Sequence, residues 1–251
     1  MNVDVDLQNM NVRREHLAHF VHYKVDIHWM LRHAKELGRP LRILNVGCGE
    51  CNEMRMLYTA HQVQKSTVVK SYIGLDGDGR MLERTQEKAA TVLRGIHGSL
   101  HTMDITSEDF PVKPGSQDLI ISNEVLEHIP GGKVPRVLRQ IRRAARSDAV
   151  ILISTPNKDG TNDRLPADHV KEWGYQELQD AFAAAGLEVV DHQGVYIKKA
   201  NLVRYLRENN PDLVEYVENL WDRFGLDIGS MLTADLARPV ANNLIWRLRK
   251  A

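Results

Sequence analysis

The sequence predicts a doubly wound α/β fold with a mostly parallel, seven-stranded sheet, and three observations carry that reading. Short and almost unbroken apolar runs, LRILNV (41–46), DLIIS (118–122) and AVILIST (149–155), are what strands buried on both faces require. Segments with helical spacing and one-sided charge, such as GRMLERTQEKAATVLRG (79–95) and GKVPRVLRQIRRAAR (132–146), separate them. Glycines follow several strand ends, where a chain must turn sharply into a helix.

Taken in order, residues 12–37 contain no Gly or Pro and space Leu17, Phe20, Val21, Val25, Ile27, Trp29, Met30 and Leu31 for one or two helices, which Gly38 and Pro40 end. The first strand is 41–46 and NEMRMLYTAHQV (52–63) is a helix. SYIGLD (71–76) is the second strand, 79–95 a helix, and SLHTMDI (99–105) a third, weaker strand. Strand four (118–122), the helix 132–146 and strand five (149–155) follow. GYQELQDAFAAAGLEVVDHQGVYI (174–197) gives one more helix, ended by Gly186, and a strand. Some forty charge-rich helical residues interrupt the last strand pair, and NNLIWRLRKA alternates as the final strand. The expected organisation is therefore an N-terminal helical segment (1–40), a core (41–197), a helical insertion or lid (198–238) and a final core strand (239–251).

The chain has 251 residues, enough for one large core, and its 33 basic and 33 acidic residues balance. It has no overall electrostatic reason to seek nucleic acid or an anionic membrane. No apolar run approaches the roughly 20 residues that span a bilayer, so no membrane partner is expected. Two cysteines and a polar start, MNVDVDLQNMNVRREH, without a secretory signal, lead to the expectation of a reducing, cytoplasmic setting. Cys48 and Cys51 form C-x-x-C, but no second pair completes a zinc site and both sit in a glycine turn. His16, His19 and His22 recur every third residue without accompanying carboxylates, and are expected to be solvated or to line a groove.

Ligands of an open α/β sheet bind at the carboxyl ends of its strands. The first strand ends in NVGCGECNE, where Gly47 and Gly49 allow close backbone approach. The second ends in Asp76, placed for a ribose diol, the third in Asp104, placed for an adenine amino group, and the fourth in SNEVLEHIP. A nicotinamide-binding turn would want a third glycine where Asn52 stands.

This series of motifs, ILNVGCGECNE, YIGLDGDGRML, TMDIT, DLIISNEVLEHI, AVILISTPN and DHVKEWGYQELQDAFAAAGLEVV, resembles the class I S-adenosylmethionine (SAM) dependent methyltransferases from about residue 41 onward. The resemblance implies a Rossmann-like fold, SAM as cofactor, and a cofactor site built from Asn45, Gly47, Gly49, Asp76, Gly77, Asp104, Ile105 and Asn123. The glycines would line its methionine part, Asp76 its ribose and Asp104 its adenine, with Asn123 at the methionine end. Two positions depart from the family pattern: Asn45 replaces the usual acid and Cys51 the third glycine. An amide cannot offer a charge to the cofactor's ammonium.

On a helix Glu124, Glu127 and His128 would share a face, at positions i, i+3 and i+4. With His169 from the segment after strand five they resemble the E-x-x-E-H metal-dependent branches of the family, the small-RNA 3'-terminal 2'-O-methyltransferases and the ubiquinone-pathway O-methyltransferases. That likeness implies a divalent cation, Mg or Mn, on Glu124, Glu127, His128 and His169, with Glu127, His128 and His169 catalytic. The same residues could instead shape the cofactor pocket, or one histidine could act as a metal-free general base. The expected acceptor is a small-molecule hydroxyl, with a nucleic-acid 2'-hydroxyl as the alternative because Arg136, Arg139, Arg143 and Arg146 form a stripe. A SAM-binding partner subunit without transferase activity is the alternative of another class. Tyr205, Tyr216, Trp221 and Phe224 in the insertion are expected to be core rather than stacking platforms.

Overall fold

The computed structural model describes residues 14–61, 65–161 and 165–251. The first helix, α1 (Arg14–Leu37), is a single element. It ends at Gly38, whose positive φ of 63° lets the Gly38 and Arg39 N–H groups turn back to the carbonyls of Lys35 and Ala34. Strand β1 (Leu41–Val46) follows at once.

Helices α2 (Asn52–His61) and α3 (Lys65–Val68) lead to β2 (Val69–Asp76), then α4 (Gly79–Val92) to β3 (His97–Thr102). Strand β4 (Gln117–Asn123), α5 (Val134–Ala144), β5 (Ala145–Pro156), α6 (Tyr175–Ala184) and β6 (Leu187–Tyr196) continue the alternation. Helices α7 (Lys199–Asn209) and α8 (Val214–Thr233) come before β7 (Asn243–Lys250). The strands form one seven-stranded sheet in the order β3-β2-β1-β4-β5-β7-β6. All pairs are parallel except those of β7, which lies antiparallel between β5 and β6. The chain winds outward in both directions from β1 and β4, which opens a crevice between their carboxyl ends.

Successive residues of a strand face opposite ways, and the central strands bury both sets. Ile43, Leu119, Ile121 and Leu152 pack on one face with Ile27 and Met30 of α1 and Met54 and Leu57 of α2. Leu44, Val46, Ile120, Ile151 and Ile153 pack on the other with α5 and α6. Val134, Val137, Leu138, Ile141 and Ala144 of α5 are all buried, a stripe at helical spacing that fixes which side meets the sheet. At the β7 end Trp246 is fully enclosed and stacks on His192 with ring centroids 4.7 Å apart. Tyr175 and Phe182 complete this aromatic packing.

The insertion has a small core of its own, Leu202, Leu206, Val217, Trp221, Ala234 and Ala237. Of the four aromatics expected to be core, Trp221 is buried and Tyr205 partly so, whereas Tyr216 and Phe224 are exposed. The arginine stripe on α5 is largely occupied inside the molecule. Arg136 donates to Ser107 O and Asp109, Arg143 to Gln140 and to the carbonyls of Phe110 and Val112, and Arg146 pairs with Asp118 and Asp148. No described helix is long and apolar enough to cross a membrane.

One carboxylate ties the amino ends of the central strands together. Asp118 of β4 is fully buried, accepts two bonds from the Arg39 guanidinium at 2.9 and 2.8 Å and one from Arg42 N–H at 2.8 Å, and lies 3.2 Å from Arg146 Nε. Burial alone would raise its pKa, but the hydrogen bonds from Arg39 and Arg42 and the charges of Arg39 and Arg146 outweigh it and hold the carboxyl below its ordinary range. The stability this gives is therefore present above the unfolded-state carboxylate pKa and lost as pH falls through the depressed folded value. Asp118→Ala, which strands the arginines, should cost about 3 kcal/mol in denaturant unfolding and should remove most of that acid-dependent loss.

Candidate active site

The turn after β1 is held by backbone. Gly47 and Cys48 N–H both donate to Leu75 O at the end of β2, at 2.7 and 3.0 Å, and Gly49 N–H donates to Asp76 Oδ2 at 2.9 Å. Gly47 has a positive φ of 76°, and a Cβ there would lie 2.3 Å from Val125 Cγ2, so only glycine allows this approach of β1 to the end of β4. Cys51 occupies the third-glycine position with a positive φ of 54°. Both cysteines are buried and free, and the side-chain hydrogen bond with Cys51, together with burial, pushes the Cys48 thiol up, so Cys48 is not poised as a thiolate.

A cavity of about 550 Å³ opens at these strand ends, in the size range of small-ligand sites. Its walls include six of the residues that the sequence assigned to cofactor binding: Gly47, Gly49, Asp76, Gly77, Asp104 and Ile105. Glu124, Val125, His128 and Ile129 form the opposite wall. Asp104 is exposed and caps its own turn, accepting from Thr106 N and Oγ1 and from Ser107 Oγ; those bonds lower its pKa to about 2.

The other two assigned residues are elsewhere. Asn45 is buried beneath the turn and donates to Glu53 Oε1 at 2.8 Å, where the Tyr72 hydroxyl also donates at 2.7 Å. Asn123 donates to Asp26 Oδ2 of α1 at 2.7 Å, and its Oδ1 lies 3.2 Å from Ser154 Oγ. Both amides spend their donors on buried carboxylates rather than on the cavity.

The E-x-x-E-H segment is not an α-helical face. Glu124 takes a positive φ of 54° as β4 ends, and a single 3-10 turn, Leu126–His128, follows. Glu124 and Cys51 are the two non-glycine residues with positive φ among the described residues, and both stand at this edge, where such strain commonly marks a functional site. The left-handed residue turns Glu124 away from its companions: its oxygens accept from Ser154 Oγ at 3.0 Å and Asn243 Nδ2 at 2.8 Å.

Glu127, His128 and His169 do converge, with one potential ligand atom of each within 4.8 Å of the others. The backbone explains how residues 41 positions apart meet. Val170 and Lys171 N–H both donate to Glu127 O, at 2.7 and 3.1 Å, and Lys158 N–H to Trp173 O closes the loop at its base. The His128 and His169 rings lie edge to face, centroids 5.1 Å apart. His128 Nδ1 donates to Asp168 O at 2.8 Å and His169 Nδ1 lies 3.1 Å from Glu172 Oε1. Since a carbonyl can only accept, His128 carries a proton on Nδ1, which turns its Nε2 toward the shared space; the Glu172 carboxylate orients His169 in the same way. Burial, and then the charge of Glu124, pushes the Glu127 carboxyl well above its ordinary value.

A family model described as a methyltransferase domain matches residues 17–192. The chain belongs to the class I SAM-dependent methyltransferases. The fold agrees with solved structures of low sequence identity. Magnesium protoporphyrin IX methyltransferase from Synechocystis, with S-adenosylhomocysteine bound, superposes with a TM-score of 0.60 at 13% identity, over 95% of this chain and 86% of that one. Geranyl diphosphate C-methyltransferase from Streptomyces coelicolor, in complex with Mg²⁺, its diphosphate and S-adenosylhomocysteine, gives 0.58 at 12% identity, over 91% and 80%. The O-methyltransferase of a trans-AT PKS multienzyme from Brevibacillus brevis gives 0.55 at 17%, over 88% and 72%. No curated protein matches the sequence significantly.

Three polar residues beside these strand ends receive no site role from the sequence. Asp26 and His22, one turn apart on α1, are buried rather than solvated; His22 Nε2 lies 3.2 Å from Asn243 Oδ1 and burial lowers its pKa. His19 is exposed, and the side chain of His16 lies outside the described residues. Glu172 stands i+3 from His169, and that H-x-x-E spacing is the one signal that could have flagged it. Gly47→Ala combines strained φ with a 2.3 Å contact. It should lower stability by about 2 kcal/mol and abolish binding of S-adenosylhomocysteine by calorimetry.

Proposed function

We propose that this methyltransferase transfers the SAM methyl to a hydroxyl of a small-molecule acceptor, with Glu127, His128 and His169 holding a divalent cation, Mg or Mn, beside the reacting groups. The observation that carries the reading is the convergence of these three side chains where His128 also lines the cavity. The donor set fits: two imidazoles with Nδ1 engaged and Nε2 free, plus a carboxylate, suit a hard to borderline divalent cation. Glu127 is buried yet has no Lys or Arg partner among the described residues; its Oε2 accepts from Thr155 and its Oε1 lies 3.9 Å from His128 Nε2. A cation would offset the cost of ionising it there. For Glu124 to join as a fourth ligand it would have to release Ser154 and Asn243.

SAM supplies a methyl on a sulfonium, and a cation supplies a Lewis-acidic contact that lowers the pKa of an acceptor hydroxyl. This chain's residues supply position and selection. Asp168 O and Glu172 orient the two imidazoles, and the wall Glu124–Ile129 sets the acceptor against the cofactor cavity. Helix α1 and the insertion 198–238 wall the acceptor side. Two neighbours support a small-molecule acceptor by their names, and the structure of one contains Mg²⁺. The arginines of α5 give a nucleic-acid acceptor little support, since most of them are bonded internally.

Labelled SAM presented with catechol-like phenols and, separately, with an RNA pool tests the reading. Transfer is expected to the phenols, to fall at least about 100-fold with chelator and to return with Mg or Mn. His169→Ala should match the chelated enzyme while keeping its affinity for S-adenosylhomocysteine. Full activity in chelator would leave the histidines as a metal-free base or as scaffold. Glu172→Gln should weaken metal affinity about 10- to 100-fold, read by metal titration.

A further inference from the structure

The strand ends enclose more carboxyl groups than cationic side chains. Asp26 and Glu53 are buried and Glu124 is half-buried, from α1, α2 and the end of β4, and none of them makes an ion pair with Lys or Arg among the described residues. The carboxylates of Asp26 and Glu53 lie close enough to repel one another, and burial, then this repulsion, lifts the Asp26 carboxyl well above its ordinary range. His22 cannot neutralise them, because burial favours its uncharged form. Buried charge persists in proteins when it is paired, and here the described chain offers no cation to pair with it.

The three carboxylates are not equivalent. Glu53 already accepts from Asn45 and Tyr72, and Glu124 from Ser154 and Asn243. Asp26 accepts from Asn123 on Oδ2, but its Oδ1 is buried without any partner. It is tied to the end of β4 by Asn123, which immediately precedes the cavity-lining Glu124, and its neighbour Tyr23 accepts from Asn52, the first residue after the glycine turn. Gly47 and Gly49 of that turn line the cavity together with Asp76 and Gly77.

We propose that Asp26 is the counter-charge for the amino-acid end of SAM, its Oδ1 accepting from the cofactor ammonium. The acid missing at position 45 of β1 is thereby supplied from α1, with Asn123 holding the carboxylate and Asn45 left to satisfy Glu53. The inference rests on family membership and stands whether or not a metal assists the transfer.

The test compares two adenosyl compounds by calorimetry. S-adenosylhomocysteine carries the ammonium, and 5'-deoxy-5'-methylthioadenosine has the same nucleoside and sulfur without it. Asp26→Asn keeps shape and removes charge; it should weaken S-adenosylhomocysteine about 10- to 100-fold and leave methylthioadenosine unchanged. If Asp26 is only a protonated structural acid, asparagine replaces it and neither affinity moves. If it serves a cationic acceptor, neither moves and the acceptor KM rises. Either result overturns the proposal, as does equal weakening of both compounds. Should the asparagine variant not fold, Asp26→Glu keeps the charge but displaces it, with the same selective loss expected and the same equal loss disqualifying. Failure of the wild-type chain to bind S-adenosylhomocysteine at all would instead contradict its SAM dependence.

Discussion

The site depends on one constraint: β4 runs buried on both faces between β1 and β5, so it can carry polar side chains into the crevice only where it leaves the sheet. Every residue from Leu119 to Ile121 is apolar and enclosed, and then Asn123, Glu124, Glu127 and His128 come within six positions. The strand must also turn abruptly there, because Val125 packs where a Cβ on Gly47 would be. That contact fixes the separation of β1 and β4, hence the floor of the cavity. The left-handed Glu124 is the local cost of the turn, and it decides which carboxylate faces β7 and which faces the loop after β5.

Around that turn the molecule arranges two polar systems with different solutions to burial. On the loop side, Glu127 meets two imidazoles oriented through Nδ1 by a carbonyl and a carboxylate, so their Nε2 edges face the shared space. On the α1 side, amides answer carboxylates: Asn45 with Glu53, Asn123 with Asp26 and Asn243 with Glu124. Amides satisfy the hydrogen bonds of these carboxyl groups but bring no charge of their own. The cavity lies beside both systems, with Glu124 and His128 contributing directly to its wall.

Much of this was legible in the sequence, and the parts that were not share a cause. The glycine turn, Asp76 and Asp104 could be placed because each directly follows its own strand, so local order fixes their position at the sheet edge. Asn45 and Asn123 were assigned only through the family resemblance, which says nothing about which neighbour claims a side chain, and buried carboxylates from two helices claimed these. The helical spacing of Glu124, Glu127 and His128 suggested one face, but a 3-10 turn after a left-handed residue does not preserve an i, i+3, i+4 register. The arginine stripe on α5 looked free because most of its acceptors, the carbonyls of Ser107, Phe110 and Val112 and the carboxylates of Asp109 and Asp118, are distant in sequence.

By itself the sequence determined the alternation of strands and helices, the doubly wound class and the methyltransferase family, since these follow from apolar periodicity and from motifs read along one continuous segment at a time. Only the tertiary structure decided that β7 inserts between β5 and β6, that His169 comes to His128, and that α1 brings Asp26 to the glycine turn. The reason is physical: each depends on a backbone or side-chain bond between residues 40 or more positions apart, such as Val170 N–H to Glu127 O or Asn123 to Asp26. Such pairings are chosen by the packing of the whole sheet and leave no periodic trace in the chain.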